Sequence, residues 1–198
     1  MDLDHLGDAY DFWKGALLRA LVRANCLRGL RVDPMRTDRR RWPGRAVTTY
    51  ARLLAVQPGR IVVHDRPLTA DRRAYLAEIP HQCDLFMDPD TGIETSRPKE
   101  PQRYLRPADV QDLLDASRGR LVAVYQHIVR QDALERVRTV RRVMKERVPR
   151  AHCTAYISAN VAMLFFATDP RQAEAVTFCL RHLLLGSTSR RILSPHDK

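Results

Sequence analysis

With 198 residues, 44% hydrophobic and 29% charged, the chain is long enough for one domain with a sizeable core and too short for two full ones. No apolar run approaches the roughly 20 residues that a membrane span needs, and the acidic start Met1-Asp2-Leu3-Asp4 lacks the basic and apolar regions of a signal peptide, so a cytoplasmic protein with no membrane partner is expected. The charge is strongly basic, 34 Lys+Arg against 23 Asp+Glu for a net +11, and arginine, the residue of bidentate phosphate recognition, dominates it. Such a balance points to nucleic acid as the partner.

In chain order, the first predicted element is a helix over residues 8–28. Tyr10, Trp13, Leu17, Leu18 and Leu21 recur at helical spacing, Asp8 is a candidate N-cap and Gly29 a stop. A short strand at 30–33 is followed by a Pro- and Arg-rich loop, 34–45, and a helix near 46–55. Arg60–Asp65 reads as a strand, 71–79 as a helix with Thr69 a possible cap, and 83–88 as a strand. Residues 93–106 read as a loop and 108–116 as a helix; Leu121–His127 is a β-rich strand and 132–147 a charged helix. Two runs, 152–158 and 161–168, have the look of a hairpin, and Pro170 opens a last helix to about residue 185. The whole chain, 1–198, is expected to be one domain, with a flexible tail over 187–198.

Strands alternating with helices, most of them apolar along their full length, predict an α/β, doubly wound, mostly parallel sheet that ends in an antiparallel hairpin. In such sheets ligands bind outside the carboxyl ends of the strands. Four predicted strands end in polar groups there: Asp33; His64 and Asp65; Asp88 with Asp90 beyond it; and Gln126, His127 and nearby Arg130. Asp88-Pro89-Asp90-Thr91-Gly92 also has the composition of a tight turn. Asp65 is placed to hold a ribose hydroxyl. Asp8, Asp11 and Lys14 share one stripe of the first helix. The four cysteines at 26, 83, 153 and 179 match no zinc spacing and are expected to be free thiols. There is no G-x-G-x-x-G, P-loop or G-x-S-x-G motif.

Leu6–Leu18, "LGDAYDFWKGALL", resembles the N-terminal signature of the 23S ribosomal RNA adenine-N6 methyltransferases through Gly7, Asp8, Asp11 and Lys14. Asp84–Gly92 looks like that family's Asp-Pro-Pro-Tyr strand end, and Val122–Arg130 like the strand after it. The resemblance implies a Rossmann-like methyltransferase fold, with S-adenosylmethionine at the first strand ends beside Asp33, Asp65 and Asp11, and the acceptor base near Asp88. Three stretches depart from the pattern, one of them the interval between Asp65 and Cys83, which is too short for the family's next strand. The stretch after the first strand, Asp33-Pro34-Met35-Arg36-Thr37-Asp38, holds no glycine, and Asp90-Thr91 stand where the family has a second Pro and an aromatic.

Three functions follow as expectations. The first is a methyltransferase-like protein acting on nucleic acid, with Asp88 orienting the acceptor amine and loop 36–45 and helix 136–150 on phosphates. The second is a Mg²⁺- or Mn²⁺-dependent phosphodiesterase, in which Asp88, Asp90 and Asp11 hold the metal, His127 moves the proton, and Arg130 or Lys14 steadies phosphate charge. The third is a non-catalytic nucleic-acid or partner-binding module on the same fold.

Overall fold

The computed structural model describes residues 3–37, 42–62, 68, 71–129, 131–183 and 191–197. Its elements in order are α1 (Ala9–Arg23), β1 (Arg31–Asp33), α2 (Gly44–Leu54), α3 (Arg72–Ala77), β2 (Leu85–Met87), β3 (Gly92–Ile93), β4 (Tyr104–Leu105), α4 (Pro107–Asp115), β5 (Leu121–His127), α5 (Ala133–Arg147), β6 (His152–Ser158), β7 (Val161–Ala167), α6 (Pro170–Leu183) and β8 (Ile192–Leu193).

The main sheet has the order β1-β2-β5-β7-β6-β8. β1, β2 and β5 run parallel, while β7 is antiparallel to both β5 and β6, so β6 points the same way as β5. Ile61 adds a single parallel bridge to the free side of β1, at Val32. The strands are apolar along their length because both faces are covered. Alternate residues divide the core. Val32, Phe86, Ala123 and Phe165 face α1, α2 and α6, while Leu85, Met87, Val122, Leu164 and Phe166 face α3, α4 and α5. The result is a mixed α/β sheet between two helical layers.

The local signals that start the helices work as their chemistry predicts. The Asp8 carboxylate accepts the backbone N–H groups of Tyr10 at 2.9 Å and Asp11 at 3.0 Å. Pro107 and Pro170 occupy first helical positions, where a missing N–H costs nothing.

Several expectations are corrected. The first helix stops at Arg23 rather than 28, because the chain turns through Asn25 at φ 56°. Asp71, not Thr69, caps α3. The strand expected at 60–65 is a 3-10 turn over Pro58–Arg60 and the single bridge at Ile61; His64, Asp65 and Thr69 lie outside the described residues. The 93–106 loop holds a small parallel pair, β3 with β4. Within the expected tail, Ile192 and Leu193 pair with β6 and are buried, since β6 would otherwise present an unpaired edge. Cys26 and Cys179 form a disulfide between the end of α1 and α6, while Cys83 and Cys153 are free. The two helices pack side by side on one face of the sheet, which brings together thiols 153 residues apart. No spacing rule in the sequence reaches that far.

Candidate functional site

Parallel register aligns the carboxyl ends of β1, β2 and β5 along one edge. Asp33 pairs with Met87 and Met87 with Val124, so Asp88 lies one residue beyond the strand, level with Tyr125. α1 packs over this edge against α2, and the contact is close because residue 15 is glycine. A Cβ there would collide with the backbone oxygen of Leu53. This approach delivers Lys14 from α1 and Tyr50 from α2 to the same carboxylate. Lys14 Nζ lies 2.7 Å from Asp88 Oδ2 and 2.7 Å from Asp11 Oδ1, and the Tyr50 hydroxyl donates a short hydrogen bond to Asp88 Oδ2. Among the described residues Asp88 Oδ1 accepts no hydrogen bond. Asp11 Oδ2 accepts the Gly7 N–H at 2.8 Å, so Asp11 also holds the turn into α1.

All four of these side chains are buried. Burial favours a neutral Lys14, but the charges of Asp88 and then Asp11 overcome it and hold the ammonium above its ordinary range. Burial lifts the Asp11 carboxyl, against Lys14 and with help from Asp88. Burial and the Asp88 charge push the Tyr50 phenol well up, and the Tyr125 phenol rises for the same two reasons. Both phenols therefore stay protonated donors at neutral pH.

Asp11, Lys14 and Asp88 form one wall of a cleft of about 200 Å³ lined also by His5, Asp8, Pro89, Asp90 and Arg103, with Tyr50 behind Asp88. Its other wall is aromatic. The rings of Tyr10 and His127 lie 5.5 Å apart, Tyr10 and Tyr125 6.4 Å apart, and Lys14 Nζ sits 4.7 Å from the Tyr125 ring centroid. His127 is half-buried, which lowers its imidazole pKa against the pull of Asp8. A second cavity of about 480 Å³ shares Asp90, Arg103 and His127 with the first and continues past Thr95, Gln131 and Arg136.

The turn that carries Asp88 and Asp90 is held by Gln126. Its side chain accepts the Ile93 N–H at 3.0 Å and donates to the carbonyls of Thr91 at 2.7 Å and His127 at 2.8 Å. Gly92 sits at φ 117°, and a Cβ there would collide with the Gln126 amide. The glycine and Gln126 are thus structural, and the acids face the cleft. Thr37 donates to Asp90 Oδ2 at 2.6 Å, with Arg103 Nε 3.4 Å away. Burial raises Asp90, but the donors and positive charges around it, Thr37 and Arg103 among them, bring it below the usual carboxylate range.

The structure therefore brings together Asp11, Lys14, Asp88, Asp90 and His127 of the expected site. Asp33 has another job. It is fully buried, and Oδ1 accepts the Met35 N–H at 2.7 Å and the Tyr75 hydroxyl at 2.9 Å. Asp65 and Arg130 lie outside the described residues, as do Arg39, Arg40 and Arg41 of the basic loop. The sequence offers no sign that Tyr10, Tyr50, Tyr125 and Arg103 serve a site; Tyr10 enters there only through the helical spacing of the first helix. Tyr50 carries only a helical apolar spacing there, and its contact with Asp88 joins residues 38 apart.

After β1 the chain does turn through a left-handed residue, Met35 at φ 44°, where glycine-rich loops admit a ligand. Yet Asp33, Pro34, Met35 and Arg36 are all buried, and Asp33 is engaged with Met35 and Tyr75. For a divalent ion, the position between Asp11 and Asp88 already holds the Lys14 ammonium, and no group of three or more His, Cys, Asp or Glu among the described residues is arranged to bind a metal. No helix among the described residues is long and apolar enough to cross a membrane. No protein-family model, curated protein or solved structure matches the chain.

Proposed function

We propose that this chain is a nucleic-acid-binding protein, methyltransferase-like in the path of its chain, that receives an unpaired base in the cleft at Asp88. The observation that carries the reading is the pairing, in one cleft, of a buried carboxylate with an aromatic wall of Tyr10, Tyr125 and His127. An aromatic wall stacks a base, and a carboxylate oxygen accepts from an exocyclic amine. The place is also favourable. From β1 the chain goes first to Ile61 on one side and then to β2 on the other, so its direction reverses beside Asp88. Ligands of doubly wound sheets collect at such reversals. The net charge of +11 supplies attraction for phosphates.

Lys14 and Tyr50 fix the carboxylate through Oδ2, which orients Oδ1 for a ligand N–H. Stacking on such a wall is worth about 1–3 kcal/mol per base.

Fluorescence anisotropy with labelled single-stranded oligonucleotides tests this reading. Wild type should bind, Tyr10→Ala should bind at least about tenfold more weakly, and Asp88→Asn should lose its preference for adenine or cytosine over uracil. No oligonucleotide binding at low salt would overturn the proposal. Thermal unfolding with S-adenosylmethionine or S-adenosylhomocysteine is the companion measurement. A ligand at about 100 times its dissociation constant stabilises by roughly 2.7 kcal/mol. A shift of that size would replace base binding by methyl transfer, and none is expected.

A further inference from the structure

On the far side of the molecule a second groove, of about 840 Å³, runs between α5 and the segment that follows β8. Its floor is one stripe of α5. Arg138, Arg141, Arg142 and Lys145 recur at the i, i+3, i+4 and i+7 positions that face one way on a helix. Arg141 is spent on structure, donating to the Ser194 carbonyl at 2.6 Å. Arg138, Arg142 and Lys145 are exposed, and among the described residues none of them is ion-paired. Like charges four apart on a helix repel each other, while Glu135 stands three residues before Arg138 and Glu146 four after Arg142 on the same helix. The groove is lined by no Phe, Tyr or Trp; its only rings are the imidazoles of His152 and His196 and the prolines, and of its two acids, Glu135 and Asp197, the second already accepts the Ser194 N–H at 2.6 Å.

We infer that this groove is a phosphate-backbone site for single-stranded nucleic acid, separate from the cleft at Asp88. A row of unpaired cations with no Phe, Tyr or Trp beside it offers contacts to phosphates rather than a stacking platform for bases. The inference rests on the nucleic-acid reading above and extends it. His152, at the groove, is level with Leu121 at the start of β5, whereas the cleft is at His127 at its end. Six residues of strand put the two sites roughly 20 Å apart, so one strand whose unpaired base occupies the cleft can pass down the α5 face and lay its phosphates in the groove.

The experiment is salt-dependent anisotropy with a labelled single-stranded oligonucleotide. It compares wild type, the triple variant Arg138→Gln/Arg142→Gln/Lys145→Gln, and a control, Arg19→Gln/Arg23→Gln/Arg52→Gln, that removes the same charge from exposed positions on α1 and α2. Each lost phosphate contact on a single strand lowers the salt slope by about 0.7, so the groove variant should lose about two from its slope and the control much less. An unchanged slope in the groove variant, or an equal drop in the control, overturns the inference. So does a groove variant that keeps its oligonucleotide affinity and instead loses binding to vesicles of anionic lipid. A Tyr10→Ala variant run beside them separates the two ideas. If it binds like wild type while the groove variant is impaired, the cleft reading falls and the groove stands; the reverse result removes the groove alone.

Discussion

Lys14 Nζ and Asp88 Oδ2 lie 2.7 Å apart across 74 residues of sequence, both side chains nearly inaccessible to solvent. This pair ties α1 to the end of the central parallel strand β2. Removing one member of a buried ion pair strands the other charge, at a cost of about 3–5 kcal/mol. Lys14→Met should therefore lower the urea midpoint severely. Lys14→Met combined with Asp88→Asn should cost less than the two separate effects added, because the double variant leaves fewer unpaired charges. Additive costs in that cycle would show the pair to be uncoupled. Tyr50→Phe, which removes a hydrogen bond to the same carboxylate, should cost about 2 kcal/mol.

Gly15 is a contact requirement. The backbone of Leu53 occupies the space that a Cβ would need. Gly15 lies in the middle of α1, where alanine would otherwise be preferred by up to about 1 kcal/mol. Gly15→Ala should instead destabilise by about 3 kcal/mol or more through overpacking. Weaker oligonucleotide binding should accompany the loss, since Lys14 is the preceding residue. A stabilised Gly15→Ala protein would mean that α1 and α2 are less closely packed than described.

His127 makes stability depend on pH. Burial holds its pKa below the ordinary 6.5, so the unfolded chain takes up this proton at higher pH than the folded one. The stability from a neutral His127 is present above about pH 6.5 and is lost as pH falls through the folded value. Between about pH 8 and pH 5 the melting temperature of wild type should drop more than that of His127→Gln. Parallel curves for the two proteins would remove His127 as the cause. Lys14 acts at the other end. Its raised pKa adds stability below about pH 10, and that stability is lost as the folded ammonium finally deprotonates.

The Cys26–Cys179 bond closes a loop of 153 residues. Disulfides that close long loops stabilise by about 2–5 kcal/mol. Reductant should lower the urea midpoint of wild type and leave that of Cys26→Ser unmoved, while Cys83→Ser should behave like wild type. Alkylation of unfolded, unreduced protein should label two thiols, those of Cys83 and Cys153. Four labelled thiols would mean that the bond does not form.

The features legible in the sequence are local. The 3.6-residue spacing of Leu17, Leu18 and Leu21 sets α1, the Asp8 cap starts it, the apolar β-branched run at 121–127 makes β5, and Pro170 opens α6; all of these depend on neighbours within a few residues. Because parallel strands align their ends, Asp88, Asp90 and His127 could be placed near one another from strand positions alone. Which polar groups serve that cleft depends on packing between distant parts of the chain. Asp33 and Gln126 also end strands, yet one is absorbed by Met35 and Tyr75 and the other clamps the turn at Gly92. Tyr50 and Arg103 enter from segments with no local sign of function, and Cys26 meets Cys179 because two helices pack side by side. These contacts depend on distances between residues far apart in the chain, which are set by the packing of helices on the sheet and by a glycine at position 15 that lets two helices touch.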